Sequence, residues 1–330
     1  MRHEKTFEPA AHRAAGFLLE VEQLSVAPKG AADRPLLSAV SLSVARGRAL
    51  GIVGESGCGK SLTCLAIMGL LPTGLAQTGG RLRFDGQEPA ADRRGLRGRR
   101  MAMIFQDPGA TMNPLRRIGP FLTGLLGLHR GLTGSAAQAE AVRLLDAVGI
   151  PSARARLRAY PHELSGGQNQ RVMIAGALAG DPDLLLADEP TTALDVTTQA
   201  QILDLLTGLR RDRGMSLILV SHDFGVIATA AEDVAVVYAG RIVEHAETAT
   251  LLRAPRHPYT HALLSAIPPE EGHAPLRTLS GQPPAPGEVG PACPFAARCP
   301  AAAPRCRTEA PVLSGPPTRQ VACHFPLSAA

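Results

Sequence analysis

The sequence predicts an α/β fold, and three observations support this prediction. First, the apolar runs DLLLAD (183–188) and SLILVSH (216–222) are typical of strands buried on both faces, and a helix-like segment (196–211) separates them. Second, residues 49–71 combine an apolar strand, a glycine-rich loop and a helical pattern that ends before a proline. Third, DVAVVYAGRIVEHA (233–246) indicates a hairpin that turns at its Ala-Gly pair, which adds an antiparallel edge.

The flanking segments complete this outline. Residues 17–26 alternate like a half-buried strand, and residues 41–54 indicate two more strands around an Arg-Gly turn. Residues 110–165 are mostly helical in character. Residues 268–291 contain seven prolines and four glycines, a composition typical of a linker. We therefore expect an α/β core that is followed by a linker and a small C-terminal segment.

Length, charge and hydropathy restrict the class of protein. The chain has 330 residues, 45% of them hydrophobic, which is a globular composition. Its net charge of +5 and pI of about 9.1 are compatible with a nucleic acid or an acidic membrane surface, but arginine-rich surfaces are often only solvated. The N-terminal segment lacks the apolar stretch of a secretory signal, and no run of about 18 apolar residues occurs. We expect a cytoplasmic chain that does not itself span a membrane.

A glycine loop follows the strand at residues 49–53 and has the sequence GESGCGKS, which fits the pattern G-x-x-x-x-G-K-[ST]. The backbone N–H groups of such a loop can surround phosphates, while Lys60 reaches the β- and γ-phosphate oxygens and the Ser61 hydroxyl reaches Mg²⁺. The strand before the loop and the helix after it are the context that this pattern requires. The sequence thus predicts ATP binding by Gly54, Glu55, Ser56, Gly57, Cys58, Gly59, Lys60 and Ser61.

Hydrolysis at such a site also requires a carboxylate near the metal and a group that handles the proton of water. Asp188, at the end of a buried strand, is a candidate Mg²⁺ ligand, and the adjacent Glu189 is the candidate base, unless both acids only cap the next helix. His222 ends the next apolar strand, where a histidine is more often structural, but the same sheet edge would bring it to Glu189 and the γ-phosphate. Gln106 follows another apolar segment and can complete the shell of the metal and the water. We therefore predict the catalytic residues Glu189, His222 and Gln106, and Mg²⁺ ligation through Ser61, Gln106 and Asp188.

The segment LSGGQNQR (164–171) precedes a helical stretch and has few bulky side chains. Free N–H groups in the first turn of a helix attract anions, and glycines allow close approach. An ordinary loop with a serine cap explains the same residues equally well. The segment alone does not decide between an anion site and a cap.

Taken together, the motifs resemble those of the ATP-binding cassette (ABC) ATPases. The glycine loop, Gln106, LSGGQ, LLLADE, TALD and SHD occur in the order and approximate spacing of that family, over roughly residues 17–267. The resemblance implies that two cassettes meet head to tail, so that LSGGQ contacts the γ-phosphate held by the other subunit, and that isolated chains bind ATP but hydrolyse it poorly. The residues concerned would be Ser165, Gly166, Gly167 and Gln168, with Asp195 of TALD at the dimer interface.

One feature of the family is missing from this sequence. In ABC ATPases an aromatic residue near the strand before the glycine loop usually stacks on adenine. The corresponding segment offers only Val26, Ala27 and Pro28. The resemblance therefore supports phosphate binding more firmly than base stacking.

The organisation of the chain favours a transporter ATPase over ABC proteins that act on nucleic acid or ribosomes. Only 104 residues separate Lys60 from Leu164, without the long coiled coil of the chromosome and repair types, and the chain has one cassette rather than two. The arginine cluster DRRGLRGRR (92–100) lacks the interleaved aromatic residues of a nucleic-acid platform. A soluble, non-transport ABC ATPase acting on nucleic acid or ribosomes is the alternative hypothesis.

The C-terminal part resembles the extension of ATPases that energise bacterial dipeptide, oligopeptide and nickel importers. The resemblance rests on HPYTHALLSAIP (257–268), the proline-rich link and the cysteine-containing tail, and we read residues 61–86 as a helical insert of the same group. It implies that the chain energises import of peptides, or of nickel or metal-chelate solutes, from the cytoplasmic face of the cell inner membrane as a peripheral protein. The implied partners are a second, different ATPase chain, two permease chains and an extracytoplasmic solute-binding protein, with no nucleic acid.

This reading predicts three parts of the chain. They are an N-terminal tail (1–16), an ABC ATPase domain (17–267) with a helical subdomain near 110–165, and a linker with a C-terminal extension (268–330).

Four cysteines crowd the tail, with the spacing C-x5-C-x6-C-x16-C: Cys293, Cys299, Cys306 and Cys323. Zinc sites usually include a closer cysteine pair, and disulfides are disfavoured in the cytosol. Ordinary thiols, zinc and a [4Fe–4S] cluster remain as alternatives, and the resemblance supports the cluster, whose negative charge Arg298, Arg305 and Arg307 could offset. We expect this site to lie apart from the ATP site.

Overall fold

The computed structural model describes residues 16–107, 111–192, 194–266, 279, 281–285, 287–288 and 290–328. Its strands are β1 (Phe17–Pro28), β2 (Leu37–Ala45), β3 (Ala49–Val53), β4 (Leu75–Phe84), β5 (Met101–Ile104), β6 (Leu184–Asp188), β7 (Ser216–Ser221), β8 (Asp233–Tyr238), β9 (Arg241–Glu247) and β10 (Arg319–Val321). Its α-helices are α1 (Lys60–Met68), α2 (Ile118–Arg130), α3 (Gly134–Ala147), α4 (Ala153–Arg156), α5 (Gly166–Ala177), α6 (Val196–Arg213), α7 (Phe224–Ala230), α8 (Thr248–Arg253) and α9 (Pro258–Ser265). Among these helices, none combines the length and the apolar character needed to cross a membrane.

The larger sheet is mixed, as predicted. Its order is β10-β9-β8-β3-β7-β6-β5, with parallel pairing from β8 to β5 and antiparallel pairing of β9 with β8 and of β10 with β9. Every residue of β3, β5, β6 and β7 is buried, because both faces of this part of the sheet are covered. Two-sided burial explains why these strands are apolar runs without alternation.

Two hydrophobic cores lie on opposite faces of this sheet. Successive residues of β7 show the division, since Leu217 and Leu219 belong to one core while Ile218 and Val220 belong to the other. The second core is closed by α1 and by a separate antiparallel sheet of order β2-β1-β4. The first core is closed by helices, including α2, α3 and α5. Helices α2, α3 and α4 lie in the segment 110–165.

The expectation of a helical insert over residues 61–86 was wrong in its second half. Helix α1 ends at Met68, and Gly69 follows in the left-handed conformation with φ 66°. Residues 75–84 then form β4, which pairs along β1 from Phe84 to Leu75. The glycines and the proline that follow Met68 end the helix. Residues 75–84 are extended because they pair with β1.

The C-terminal region folds back on the sheet edge. β10 pairs with β9, and the N–H of Ala322 donates to the carbonyl of Val243 at 2.8 Å. Phe295 is 1% exposed and belongs to the first core. The predicted tail up to residue 15, Ile267 and most of the predicted linker lie outside the described residues.

The parallel strands bring the predicted motifs to one edge. The glycine loop follows β3, Glu189 follows β6, His222 follows β7, and Gln106 lies two residues after β5. Since the carboxyl ends of parallel strands meet at the same edge of a sheet, these residues lie close together.

Candidate nucleotide site

The glycine loop wraps around the side chain of Lys60. Its Nζ donates to the carbonyl oxygens of Gly54 at 2.8 Å and Glu55 at 3.0 Å, and the side chain is buried. Gly54 has no room for a larger side chain, because a Cβ there would lie 2.2 Å from the carbonyl oxygen of Val237. Gly59 has φ 107°, which favours glycine, and it precedes the first residue of α1. The loop thus has the conformation and the lysine that phosphate binding requires.

The helix start and the end of β6 bring two oxygen donors together. The Ser61 hydroxyl donates to Oδ1 of Asp188 at 2.9 Å. Asp188 is 5% exposed, and burial raises the pKa of its carboxyl despite the hydrogen bond from Ser61. Such a buried carboxylate gains from a cation close by. A hydroxyl and a carboxylate are the hard ligands that Mg²⁺ prefers.

Four side chains converge on Glu189. Its Oε2 accepts hydrogen bonds from Thr192 Oγ1 at 3.0 Å and Gln106 Nε2 at 3.2 Å, and lies 3.5 Å from His222 Nδ1. Its Oε1 lies 3.9 Å from Lys60 Nζ. The carboxylate is therefore held in one orientation beside the lysine of the glycine loop, as a base that activates water must be.

The backbone at Glu189 is also constrained. Its φ of 46° lies in the left-handed region, which is uncommon for a residue with a long side chain. Its N–H donates to the carbonyl of Val220 in β7 at 3.1 Å, which fixes this conformation. Unfavourable backbone conformations that the surroundings hold in place are concentrated at functional sites.

The LSGGQ segment forms a capped helix start on the surface. Ser165 is the N-cap of α5, where the N–H of Gln168 donates to its Oγ at 3.3 Å and its own N–H donates to Oε1 of Gln168 at 3.2 Å. A Cβ on Gly167 would lie 2.7 Å from Thr198, whose N–H and hydroxyl both donate to the carboxylate of Asp195. Those two bonds lower the pKa of Asp195. Among the described contacts, none joins this segment to the glycine loop.

The four tail cysteines face one small cavity that His257 and Phe295 also line. None of these four described cysteines forms a disulfide bond. Burial raises the pKa of Cys293, Cys299 and Cys323, and the charges of neighbouring thiolates raise it further. Within the described part of the chain, no three His, Cys, Asp or Glu side chains are close enough together to hold a metal ion.

The tail next to the four cysteines contacts the glycine loop, although no residue of that loop lines the cysteine cavity. Arg298, which precedes Cys299, forms an ion pair with Glu55 of the glycine loop. Arg305 pairs instead with Glu309, four residues further along the tail. Two of the three arginines that were expected to offset cluster charge therefore have carboxylate partners.

Three residues near the site were not predicted from sequence. Thr192 is close to Glu189 in sequence, and its hydroxyl three residues after the acid is a signal that could have found it. Tyr259 accepts a hydrogen bond from the N–H of Glu55 at 3.0 Å, and Arg298 binds the side chain of the same residue. These two residues lie more than 200 positions from Glu55, and no local pattern indicates the contact.

Comparison with protein families gives two matches. Residues 37–192 match the family "ABC transporter", and residues 243–306 match "Oligopeptide/dipeptide transporter, C-terminal region". The first match covers the glycine loop, the LSGGQ segment and Glu189. The second covers α8, α9 and three of the four tail cysteines.

Two similar curated proteins extend over nearly the whole chain. The oligopeptide transport ATP-binding protein OppD of Salmonella typhimurium is 44% identical over 326 residues, which cover 96% of each chain. The dipeptide transport ATP-binding protein DppD of Escherichia coli is 45% identical over 322 residues, which cover 94% of this chain and 97% of that protein.

Two solved structures share the fold. CbiO1 from Clostridium perfringens, described as part of the ABC transporter complex cbiONQ, has a TM-score of 0.61 at 25% identity, covering 71% of this chain and 90% of its own. The ATP-binding cassette MJ0796, a dimer in a post-hydrolysis state with ADP and Pi, also has a TM-score of 0.61, at 28% identity, covering 70% of this chain and 98% of its own.

Proposed function

Because this chain belongs to the ABC transporter family, in its group of oligopeptide and dipeptide transport ATP-binding proteins, we propose that it is the subunit that hydrolyses ATP to energise peptide import. The observation that carries the proposal is the meeting of Lys60, Asp188 and Glu189 at one sheet edge in a chain similar to peptide transport proteins over nearly its whole length. The names of the relatives favour peptides over nickel or metal-chelate solutes.

The glycine loop is proposed to hold the phosphates of ATP. Residues Gly54 to Ser61 would offer backbone N–H groups, and Lys60 would exchange its bonds to the loop carbonyls for bonds to phosphate oxygens. Positioning of the phosphates against Glu189 is the larger part of catalysis in this class of reaction, because the transferred group needs little covalent assistance.

The donor set near the loop fits Mg²⁺. Ser61 and Asp188 provide oxygen ligands 2.9 Å apart, and Gln106 is proposed as a further ligand directly or through water. Mg²⁺ usually keeps several waters and takes few ligands from the protein, so water would complete the rest of its shell. Bound there, the ion would offset the negative charge that develops on the phosphate oxygens.

Glu189 is proposed as the base that accepts the proton of the attacking water. Gln106 and Thr192 both donate to Oε2, which leaves the other oxygen directed toward Lys60. His222 lies on the same side, with a side chain 63% exposed, and is proposed to bond the γ-phosphate while it contacts Glu189. These three catalytic residues, Glu189, His222 and Gln106, come from the ends of three different strands.

The LSGGQ segment is proposed to bind the ATP of a second cassette. Ser165 and Gly166 are exposed, and Gly166, Gly167 and the cap of α6 at Asp195 form one surface. The Ser165 N-cap and the free N–H groups of α5 offer hydrogen-bond donors to a phosphate from outside the chain. The second cassette is proposed to be a different ATPase chain.

The proposed assembly places this chain on the cytoplasmic face of the inner membrane as a peripheral protein. Two permease chains would anchor it, and an extracytoplasmic binding protein would deliver the peptide. The proposed division of the chain is a tail (1–16), an ATPase domain (17–267) with a helical subdomain near 110–165, and a linker with the extension (268–330). The helices α2 and α3 support the helical subdomain.

The four tail cysteines are proposed to hold a [4Fe–4S] cluster. Their thiols line one cavity and influence one another's charge, yet they are not grouped tightly enough for a single ion. Four sulfurs that bind one zinc ion must each lie about 2.3 Å from it and therefore close to one another. In a [4Fe–4S] cluster each thiolate binds a different iron, so the four sulfurs lie further apart. Bound there, the cluster would fix the fold of a short segment that has little core of its own.

Peptide-dependent ATP hydrolysis tests the proposed function. The chain should copurify with its permeases, and the reconstituted complex should hydrolyse ATP faster when peptide and binding protein are present. Lys60→Ala should abolish this turnover, whereas Arg94→Ala, which changes an exposed arginine of the 92–100 cluster, should not. Copurification with ribosomes or stimulation by nucleic acid, in place of permeases and peptide, would support the alternative hypothesis instead.

A further inference from the structure

The C-terminal extension contacts the glycine loop through an ion pair. The guanidinium of Arg298 donates from Nη1 to Oε2 of Glu55 at 2.7 Å and from Nη2 to Oε1 at 2.9 Å. This two-bond geometry is the strongest form of an arginine–carboxylate contact. The side chain of Arg298 is 4% exposed and that of Glu55 is 27% exposed, so water screens the pair only in part.

Arg298 is held by an aromatic cluster below the loop. Its guanidinium lies over the ring of Tyr238 at 5.7 Å and donates to the Tyr238 hydroxyl at 3.3 Å. Tyr238 packs on Tyr259 and Phe295, with ring centroids 4.6 and 5.3 Å away, and all three rings are almost fully buried. The hydroxyl of Tyr259 accepts from the backbone N–H of Glu55. Both the main chain and the side chain of Glu55 are thus fixed by residues outside the loop.

Glu55 creates an electrostatic problem for a phosphate site. It contributes a carboxylate within a loop whose backbone would surround several phosphate charges. Like charges at short distance disfavour each other, and the effect grows where water is excluded. A guanidinium that binds both carboxylate oxygens neutralises this charge and holds the side chain in one orientation.

We propose that Arg298 is a positioning residue for ATP binding, which acts from the C-terminal extension by neutralising and orienting Glu55 of the glycine loop. This inference rests on the proposed function, because it presumes that the loop binds ATP. It makes the extension a part of the nucleotide site. A lysine cannot replace this arginine fully, because an ammonium group does not offer two parallel donors to one carboxylate.

Equilibrium ATP binding to the full-length chain tests the proposal. Arg298→Gln should raise the dissociation constant for ATP about tenfold, and Arg298→Lys should raise it by less. The matched control is Arg305→Gln, because Arg305 makes the same two-bond contact with Glu309, at 2.8 and 3.1 Å, but with both side chains more than half exposed. The control should change the dissociation constant by less than about twofold.

A double substitution separates the proposed role from a general loss of structure. Arg298→Gln added to Glu55→Gln should alter ATP affinity by less than about twofold relative to Glu55→Gln alone, because the charge to be neutralised is gone. In the assembled transporter, Arg298→Gln should raise KM for ATP and leave kcat nearly unchanged, since Glu189 is untouched. Hydrogen exchange at the Glu55 amide should become faster in the same variant.

The possible results distinguish this inference from the function on which it rests. If the unaltered chain binds ATP and Arg298→Gln binds it equally well, the inference is overturned and the proposed function stands. A tenfold loss that persists in the Glu55→Gln background would also overturn it, because Arg298 would then act by another route. Failure of the unaltered chain to bind ATP would overturn both. Should Arg298→Gln not fold, Arg298→Lys with its smaller expected loss supplies the same comparison.

Discussion

Replacement of Glu189 by glutamine tests the proposed chemistry most directly. The two donors at this residue, Gln106 and Thr192, both bind Oε2 at 3.2 and 3.0 Å. A glutamine oxygen in that position keeps both bonds, and the amide nitrogen then takes the place of Oε1, which faces Lys60. The shape of the site is therefore preserved, while the group loses its negative charge and its ability to accept a proton.

The expected loss follows from the role of a general base. Such a group contributes about 10²- to 10⁴-fold to a rate, which corresponds to roughly 3 to 5 kcal/mol of activation free energy. Glu189→Gln should reduce turnover by at least about 100-fold. ATP binding should persist or become tighter, because a negative charge close to the phosphates is removed. The dimer of cassettes with bound ATP should then accumulate.

A shorter acid separates placement from charge. Glu189→Asp withdraws the carboxylate by one C–C bond, about 1.5 Å, which is enough to break the contacts with Gln106 and Thr192. Aspartate tolerates the left-handed backbone conformation at this position, so the change adds little strain. We expect a rate loss of at least about tenfold although the charge is kept.

Phosphate release by the reconstituted complex at saturating MgATP is the assay for both variants. Glu247→Gln, an exposed acid at the end of β9, is the control and should behave as the unaltered chain does. Turnover of Glu189→Gln above about a tenth of the control would refute the assignment of Glu189 as base. Full activity of Glu189→Asp would refute the argument from its placement.

Three other measurements address features outside the base. Burial lowers the pKa of His245 in the folded protein. The unfolded chain therefore binds a proton at this histidine below about pH 6.5 while the folded chain does not, so the free energy of unfolding should decrease as the pH falls below about 6.5. The urea midpoint should therefore drop less between pH 7.5 and pH 5.5 in His245→Gln than in the unaltered chain, and equal drops would contradict this origin. Stacking of an aromatic ring on a base is worth about 1 kcal/mol, and residues 26–28 offer no such ring. Competition binding should therefore show only a modest preference for ATP over GTP. A preference above about a hundredfold would reveal a base pocket formed by other residues. Anaerobically purified protein should be brown and contain about four irons per chain. Cys299→Ser should remove the colour, and it should weaken ATP binding as Arg298→Gln does. Stoichiometric zinc, or four titratable thiols, would contradict the cluster.

The strands and the active edge were predictable because their causes are local. Strands β6 and β7 are buried on both faces, and that burial alone produces the apolar runs from which they were identified. The residues that follow such strands meet at one edge whatever the details of packing. Glu189, His222 and Gln106 therefore lie together in the structure as the order of motifs indicated.

The strand β4 was missed because its cause is not local. Its sequence, LAQTGGRLRF, contains two adjacent glycines and several polar residues, and its first seven residues (75–81) are half-buried or exposed. Pairing with β1 determines its conformation, through contacts such as Leu82 with Val21 and Arg81 with Glu22. A tertiary contact of this kind overrides local propensity.

The contact between the tail and the glycine loop has the same kind of cause over a longer distance. Arg298 and Glu55 are 243 residues apart in sequence, and each looks like an ordinary surface charge when it is read alone. The four cysteines were expected to form a site apart from the ATP site, and no local pattern indicated that a residue beside them contacts the glycine loop. Arg298 directly precedes Cys299, so the residue that contacts Glu55 and a residue that lines the cysteine cavity are adjacent in the chain. The same short segment therefore serves two purposes, since it lines the cysteine cavity on one side and fixes the first variable residue of the glycine loop on the other.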